Sequence, residues 1–141
     1  MKILQLLLSK GYDNYSDIMI YACKGGQLQI VEDMLQRGAD GYGIAYHTAV
    51  MYGHVVIAEK LLQYCFGDDS HAYCAGECGN MDMVHFLEET EGEMFEYQSL
   101  LYGAVRHKHE EITRYAICNG ALLIAFRLLF TVMISILLKK F

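Results

Sequence analysis

The sequence has no stripe of basic residues. Its 11 Lys and Arg are scattered among 17 Asp and Glu, giving a formal charge of −6, a balance that argues against a nucleic-acid-binding surface. Nor does it have a disulfide framework, because its five cysteines are odd in number and lack paired spacing, a usage that suits a reducing cytosol. The opening stretch MKILQLLLSKGYDN has a short apolar run but no small-residue cleavage site, so it does not read as a secretory signal peptide. No G-x-S-x-G, P-loop or H-E-x-x-H motif occurs, and no nucleophile stands beside a credible base. The expectation is a cytoplasmic protein that is not an enzyme and needs neither cofactor nor metal.

What the chain does have is internal self-similarity. YACKGGQLQIVEDML (21–35) lies over TAVMYGHVVIAEKLL (48–62) at an offset of 27, matching Gly26 to Gly53, Ala22 to Ala49 and Leu35 to Leu62. A third copy, CAGECGNMDMVHFLE (74–88), follows at an offset of 26 and places Gly79 on Gly53 and Ala75 on Ala49. A fourth, GAVRHKHEEITRYAI (103–117), keeps Ala104 at an offset of 29 but carries Lys108 in the glycine slot. ILQLLLSKGYD (3–13) matches only the second half of a unit, IVEDMLQRGAD (30–40). A period in this range is the signature of a solenoid.

Each unit reads as two short helices. Ser16 is the expected N-cap of the first. A glycine turn at Gly26, Gly53 or Gly79 reverses the chain. The second helix, as in Leu28 to Arg37, carries apolar residues at i, i+3 and i+4. Neither helix of a pair buries its own apolar face, so neighbouring pairs must stack. The small alanines at 22, 49, 75 and 104 suit close approach of the first helices. The expected fold is all-α: a half repeat at 1–13, repeats at about 16–40, 43–67, 69–92 and 97–121, and a hydrophobic C-terminal helix at 121–141.

The stretch YHTAVMYGHVVIAEKLL resembles the ankyrin repeat, with His47 and Ala49 in the H-x-A places and Gly53-His54 in the turn. GGQLQIVEDMLQRGAD is similar to that family's second helix and Gly-Ala-Asp ending. The likeness runs from residue 3 to about 120. It departs from the family in lacking proline altogether, hence any T-P start, and in a period of 26 to 29 against the usual ~33. The resemblance implies an ankyrin-like solenoid that binds another protein. Short, worn repeats of this kind look like those of large DNA viruses and intracellular microbes, which implies contact with host proteins. The short period leaves little room for β-hairpin fingers, so exposed first-helix side chains are the expected partner-binding residues: Tyr21, Tyr46, His47 and Tyr73. Tyrosine suits such a surface, although packing explains several of the 11 tyrosines equally well.

Other candidates are weaker. His71, Cys74 and Cys78 fall at i, i+3 and i+7 with His85 beyond, a set that zinc could use. Yet Cys74 and Cys78 occupy columns held by Thr48 and Tyr52 in a sister unit and read as ordinary helix variation. HKH at 107–109 reads as a solvated turn, EETEGEMFE at 88–96 as a solvated linker, and Asp68-Asp69 as a turn.

The tail leaves the pattern. From Ala121 to Leu138, 15 of 18 residues are apolar. Arg127, Thr131, Ser135 and Lys139 form a narrow polar stripe on a helix. Such a segment reaches ~27 Å, close to a bilayer core. It fits a helix packed on the array with its surplus apolar face meeting a partner or a second copy, a tail anchor on the cytoplasmic face of a membrane, or an altered terminus of a longer repeat protein.

Overall fold

In the computed structural model of the protein, the residues described are 2–65 and 71–121. The Asp68-Asp69 turn and the apolar segment 122–141 lie outside them. The described residues are helical, with no strand among them, so the chain is all-α. They fall into two compact units divided at Asp68.

The first unit holds α1 (Lys2–Ser9), α2 (Tyr15–Lys24), α3 (Leu28–Gln36), α4 (Tyr42–Met51) and α5 (Val55–Leu62). Helix α2 packs against both α3 and α4, and α5 packs against α4 and α3. Met19, Val31, Met34, Val50, Ile57 and Leu61 fill the interior between them. The second unit holds α6 (Ala72–Cys78), α7 (Met81–Glu91), a 3-10 turn at Gly92–Met94, α8 (Tyr97–Arg106) and α9 (Glu110–Ala116). Here α6 packs on α7 and α8, and α8 on α9, around Met83, Val84, Leu87, Leu100 and Ile112.

One hydrogen-bond pattern ends five of these helices, three of them on an alanine. After α2, α4 and α8 the chain enters the left-handed region at Gly26 (φ +68°), Gly53 (φ +73°) and Lys108 (φ +61°). The next N–H then donates back to an alanine carbonyl: Gln27 to Ala22, His54 to Ala49 and His109 to Ala104, each at 2.9 Å. This six-to-one bond is the Schellman closure. It explains the glycines at 26 and 53, because an L side chain at such φ crowds its own backbone. Helix α6 ends at left-handed Gly79 (φ +74°), whose own N–H reaches the Ala75 carbonyl at 3.4 Å. All four alanines are at most 5% exposed. The same closure ends α1 and α3, where Tyr12 donates to Leu7 and Ala39 to Met34.

The helix starts correct one expectation. Ser16 does not cap α2. Asn14 does, its side chain accepting the Asp17 N–H at 3.1 Å. Ser16 lies inside the helix, where its hydroxyl donates to the Asp40 carboxylate and accepts the Asp40 N–H. It ties the start of α2 to the exit of α3.

Candidate functional site

Helices α6 and α8 meet backbone to backbone. A Cβ added at Gly76 would lie 2.8 Å from the Ala104 nitrogen and 3.1 Å from the Gly103 Cα, and would collide with the Leu100 carbonyl oxygen. One added at Gly103 would collide with the Tyr73 carbonyl oxygen and stand 3.1 Å from the Glu77 nitrogen. No side-chain rotation relieves such contacts. The two glycines therefore set the helix spacing, and the spacing sets what stands on the outer face.

That face carries a cluster of polar and aromatic groups. The rings of Tyr73 and Tyr102 lie 5.9 Å apart at 31°, and Tyr102 is 65% exposed. The Tyr73 hydroxyl donates to Glu77 Oε1 at 2.9 Å and accepts from Arg106 Nη1 at 3.4 Å. His107 Nε2 pairs with the same Glu77 oxygen at 3.0 Å. The hydrogen bond to Glu77 pushes the Tyr73 phenol above its ordinary value, with burial and the Glu77 charge adding to it against the pull of Arg106.

The four residues expected to bind a partner divide. Tyr21 is 73% exposed on α2, His47 is exposed on α4, and Tyr73 is half-buried on α6. Tyr46 does not belong to the surface, being 4% exposed. It shares the inner stripe of α4 with Ala49 and Val50, three and four positions on, so the one-position difference from His47 carries it inside. Tyr21 also walls an apolar groove of about 500 Å³ with Leu4, Leu7, Ile18 and Ile30, and Asp17 is the charged residue there. Nearby, the Lys24 ammonium sits 5.4 Å from the Tyr52 ring centre, a cation–π contact.

The structural turns at Gly26 and Gly79 have a further feature. The imidazole of His54 covers Gly26, so that an added Cβ would stand 2.7 Å from its Cε1, and Nε2 bonds the Lys24 carbonyl at 3.2 Å. The imidazole of His109 covers Gly79 in the same way, with Nε2 3.0 Å from the Glu77 carbonyl. Each histidine thus bonds a backbone oxygen at the end of the first helix of the preceding helix pair, within the same compact unit. The HKH stretch is accordingly not a plain solvated turn, since His109 is half-buried in this contact.

The acidic run is not a linker either. Its first three glutamates continue α7 to Glu91, and Glu88 ties three elements together. Tyr97 and Tyr115 both donate to its carboxylate, Tyr115 at 2.6 Å, and His85 Nδ1 lies 3.4 Å away. Burial would raise the Glu88 pKa, but these three partners outweigh it and hold the carboxyl below its ordinary value. Sharing Glu88 pushes Tyr97 and Tyr115 each up to about 12, with burial adding to the shift. Glu91 accepts the His71 N–H at 2.8 Å and pairs with the His71 ring at 3.3 Å.

Burial works against nucleophilic chemistry at four of the five cysteines, whereas Cys118 is exposed. Burial raises the thiols of Cys23 and Cys74 to about 11 and those of Cys65 and Cys78 less far, which starves them of thiolate. Among the described residues no group of three or more His, Cys, Asp and Glu is arranged to hold a metal ion. None of the described helices is long and apolar enough to cross a membrane.

Neither protein-family models nor curated proteins give a match to this chain.

Proposed function

We propose that the chain is an ankyrin-like array of stacked helix pairs that binds another protein through exposed first-helix side chains, without catalysis or cofactor. The observation that carries this reading is the Tyr73–Tyr102–Arg106 cluster on the outer face of α6 and α8. Tyrosine and arginine dominate the energetics of protein interfaces, because each combines large apolar area with polar reach. The array reading draws support from the shared alanine closure of α2, α4 and α8 and from the paired His54–Gly26 and His109–Gly79 contacts. These are features expected when one helix pair seats on the next. By resemblance to short viral and microbial repeats, the partner is a host protein and the setting cytoplasmic.

Affinity capture from cell extract with the full chain, compared with Tyr73→Ala/Tyr102→Ala, tests the reading. We expect a partner that the double variant loses while its helical circular dichroism stays unchanged. A capture profile shared by the two proteins would remove this face from consideration.

A second reading rests on the apolar composition of 121–138: a membrane-tethered adaptor with this segment as its tail anchor. Alkaline carbonate extraction separates the two. An anchored protein stays in the pellet, and a peripheral one is released.

A further inference from the structure

We infer that the end of α8 and the turn after it recognise an acidic peptide segment, with Arg106 and Lys108 meeting its carboxylates and Tyr73 and Tyr102 holding its apolar neighbours. This rests on the protein-binding reading above and adds the chemistry of the partner.

Charge pairing sets Arg106 apart from the other described arginines, while Lys108 shares its lack of a carboxylate partner with Lys10 and Lys24. Arg37 is paired with Asp33, Lys60 with Glu32 and Arg114 with Glu110. Arg106 instead touches a neutral phenol, and among the described residues neither it nor Lys108 is paired with a carboxylate. Glu77, close by, is already engaged by the Tyr73 hydroxyl and His107. The guanidinium therefore keeps donors for a planar carboxylate, which arginine binds in two-pronged fashion. In a chain of charge −6, Arg106 and Lys108 are two exposed cations two residues apart beside two tyrosines, with Glu110 and Glu111 opening the next helix.

The backbone supplies an independent observation. Lys108 holds φ +61°, where the corresponding turns at 26, 53 and 79 have glycine. A non-glycine residue there is strained, and a side chain retained against strain points to a use for it. The negative end of the α8 dipole accounts for a cation in the last helical turn. That role falls to Arg106, which lies in that turn, and not to Lys108, which follows the C-cap.

The test is a random peptide library displayed on phage and selected on the immobilised full chain. We expect selected peptides rich in Asp and Glu beside an aromatic or aliphatic residue. Arg106→Gln should bind them roughly fivefold more weakly, with the difference shrinking as salt rises. Lys108→Gly should also bind them more weakly while melting at a higher temperature, which separates lost recognition from lost folding. Glu111→Gln, which removes an exposed acid from the start of α9, should bind them more tightly. Peptides not enriched in acids, or bound equally by Arg106→Gln, would overturn the inference and leave protein binding standing on other chemistry. Lys108→Gly that binds equally well, or that melts lower, would overturn it as well. A selection that yields no peptide also overturns it, and cross-linking at position 102 then decides the broader reading.

Discussion

Adding one methyl group at Gly103 should destabilise the second unit, although alanine is the better helix former. Inside an exposed helix the change from glycine to alanine stabilises by ~1 kcal/mol. Gly103 sits within α8, but its new Cβ would collide with the Tyr73 carbonyl and approach the Glu77 nitrogen to 3.1 Å. Both are backbone atoms of α6, so the two helices must part. A gap of roughly 1 Å forfeits up to about half of the dispersion attraction along the seam. Overpacking of this kind costs ~1–3 kcal/mol, and rigid backbone on both sides puts the cost near the upper end. We therefore expect a net loss of about 2 kcal/mol, the propensity gain included. Gly76→Ala, which meets the Leu100 carbonyl and the Ala104 nitrogen, should lose a similar amount. The double variant should lose less than the sum, because helices already parted for one methyl accept the second more cheaply. Gly43→Ala is the control. It lies in the first turn of α4 with nothing within 4 Å of an added Cβ, and should be neutral or stabilising by up to ~1 kcal/mol. Urea unfolding followed by circular dichroism measures all four proteins. A Gly103→Ala protein as stable as the parent would refute the close backbone seam.

Three further outcomes follow from the same physics. Lys108→Gly should raise stability by about 1 kcal/mol by removing the left-handed side chain, read as a higher urea midpoint. His54→Ala should cost about 1 kcal/mol through loss of its bond to the Lys24 carbonyl. Gly26→Ala should cost at least as much because its φ is +68°, and a double-mutant cycle should show the two changes coupled through their contact. The Glu88 cluster sets a pH window. The Glu88 pKa lies below its ordinary value of 4.5, so its contribution is in place above that value and is lost as pH falls through the lowered one. Tyr97 and Tyr115 lie above their ordinary value of 10.0, at about 12. Their contribution is in place below 10.0 and fades as pH rises towards about 12. Thermal melting across pH should show both declines, and Glu88→Gln should flatten the acid one.

Helix class and turn positions were legible because they depend on local signals. A glycine after an apolar stripe marks a left-handed closure whatever surrounds it, and Gly26, Gly53 and Gly79 each hold positive φ. The alanines between the stripes announced buried contacts by their size. Facing was harder to read. Tyr46 and His47 differ by one position, about 100° around a helix, and α4 is apolar on enough sides that sequence alone left the inner stripe ambiguous. Long-range pairs were invisible: nothing near Glu88 in the chain announces Tyr115, which lies 27 residues on. The acidic run masked that role, since most of its neighbours are solvated. Gly76 and Gly103 carried a usable signal, as glycines inside helices beside the column alanines. Its meaning emerges only when α6 and α8 are placed together.

The most direct test of the binding account is site-specific photo-cross-linking in cells. A photoreactive phenylalanine analogue replaces Tyr102 in one protein and Val56, which is 61% exposed on α5, in another. The account predicts a discrete cross-linked product between the chain and a second protein from position 102, absent from position 56 and weakened when Arg106→Gln is added. Cross-linking that is equally strong from both positions, or seen only from position 56, would contradict it.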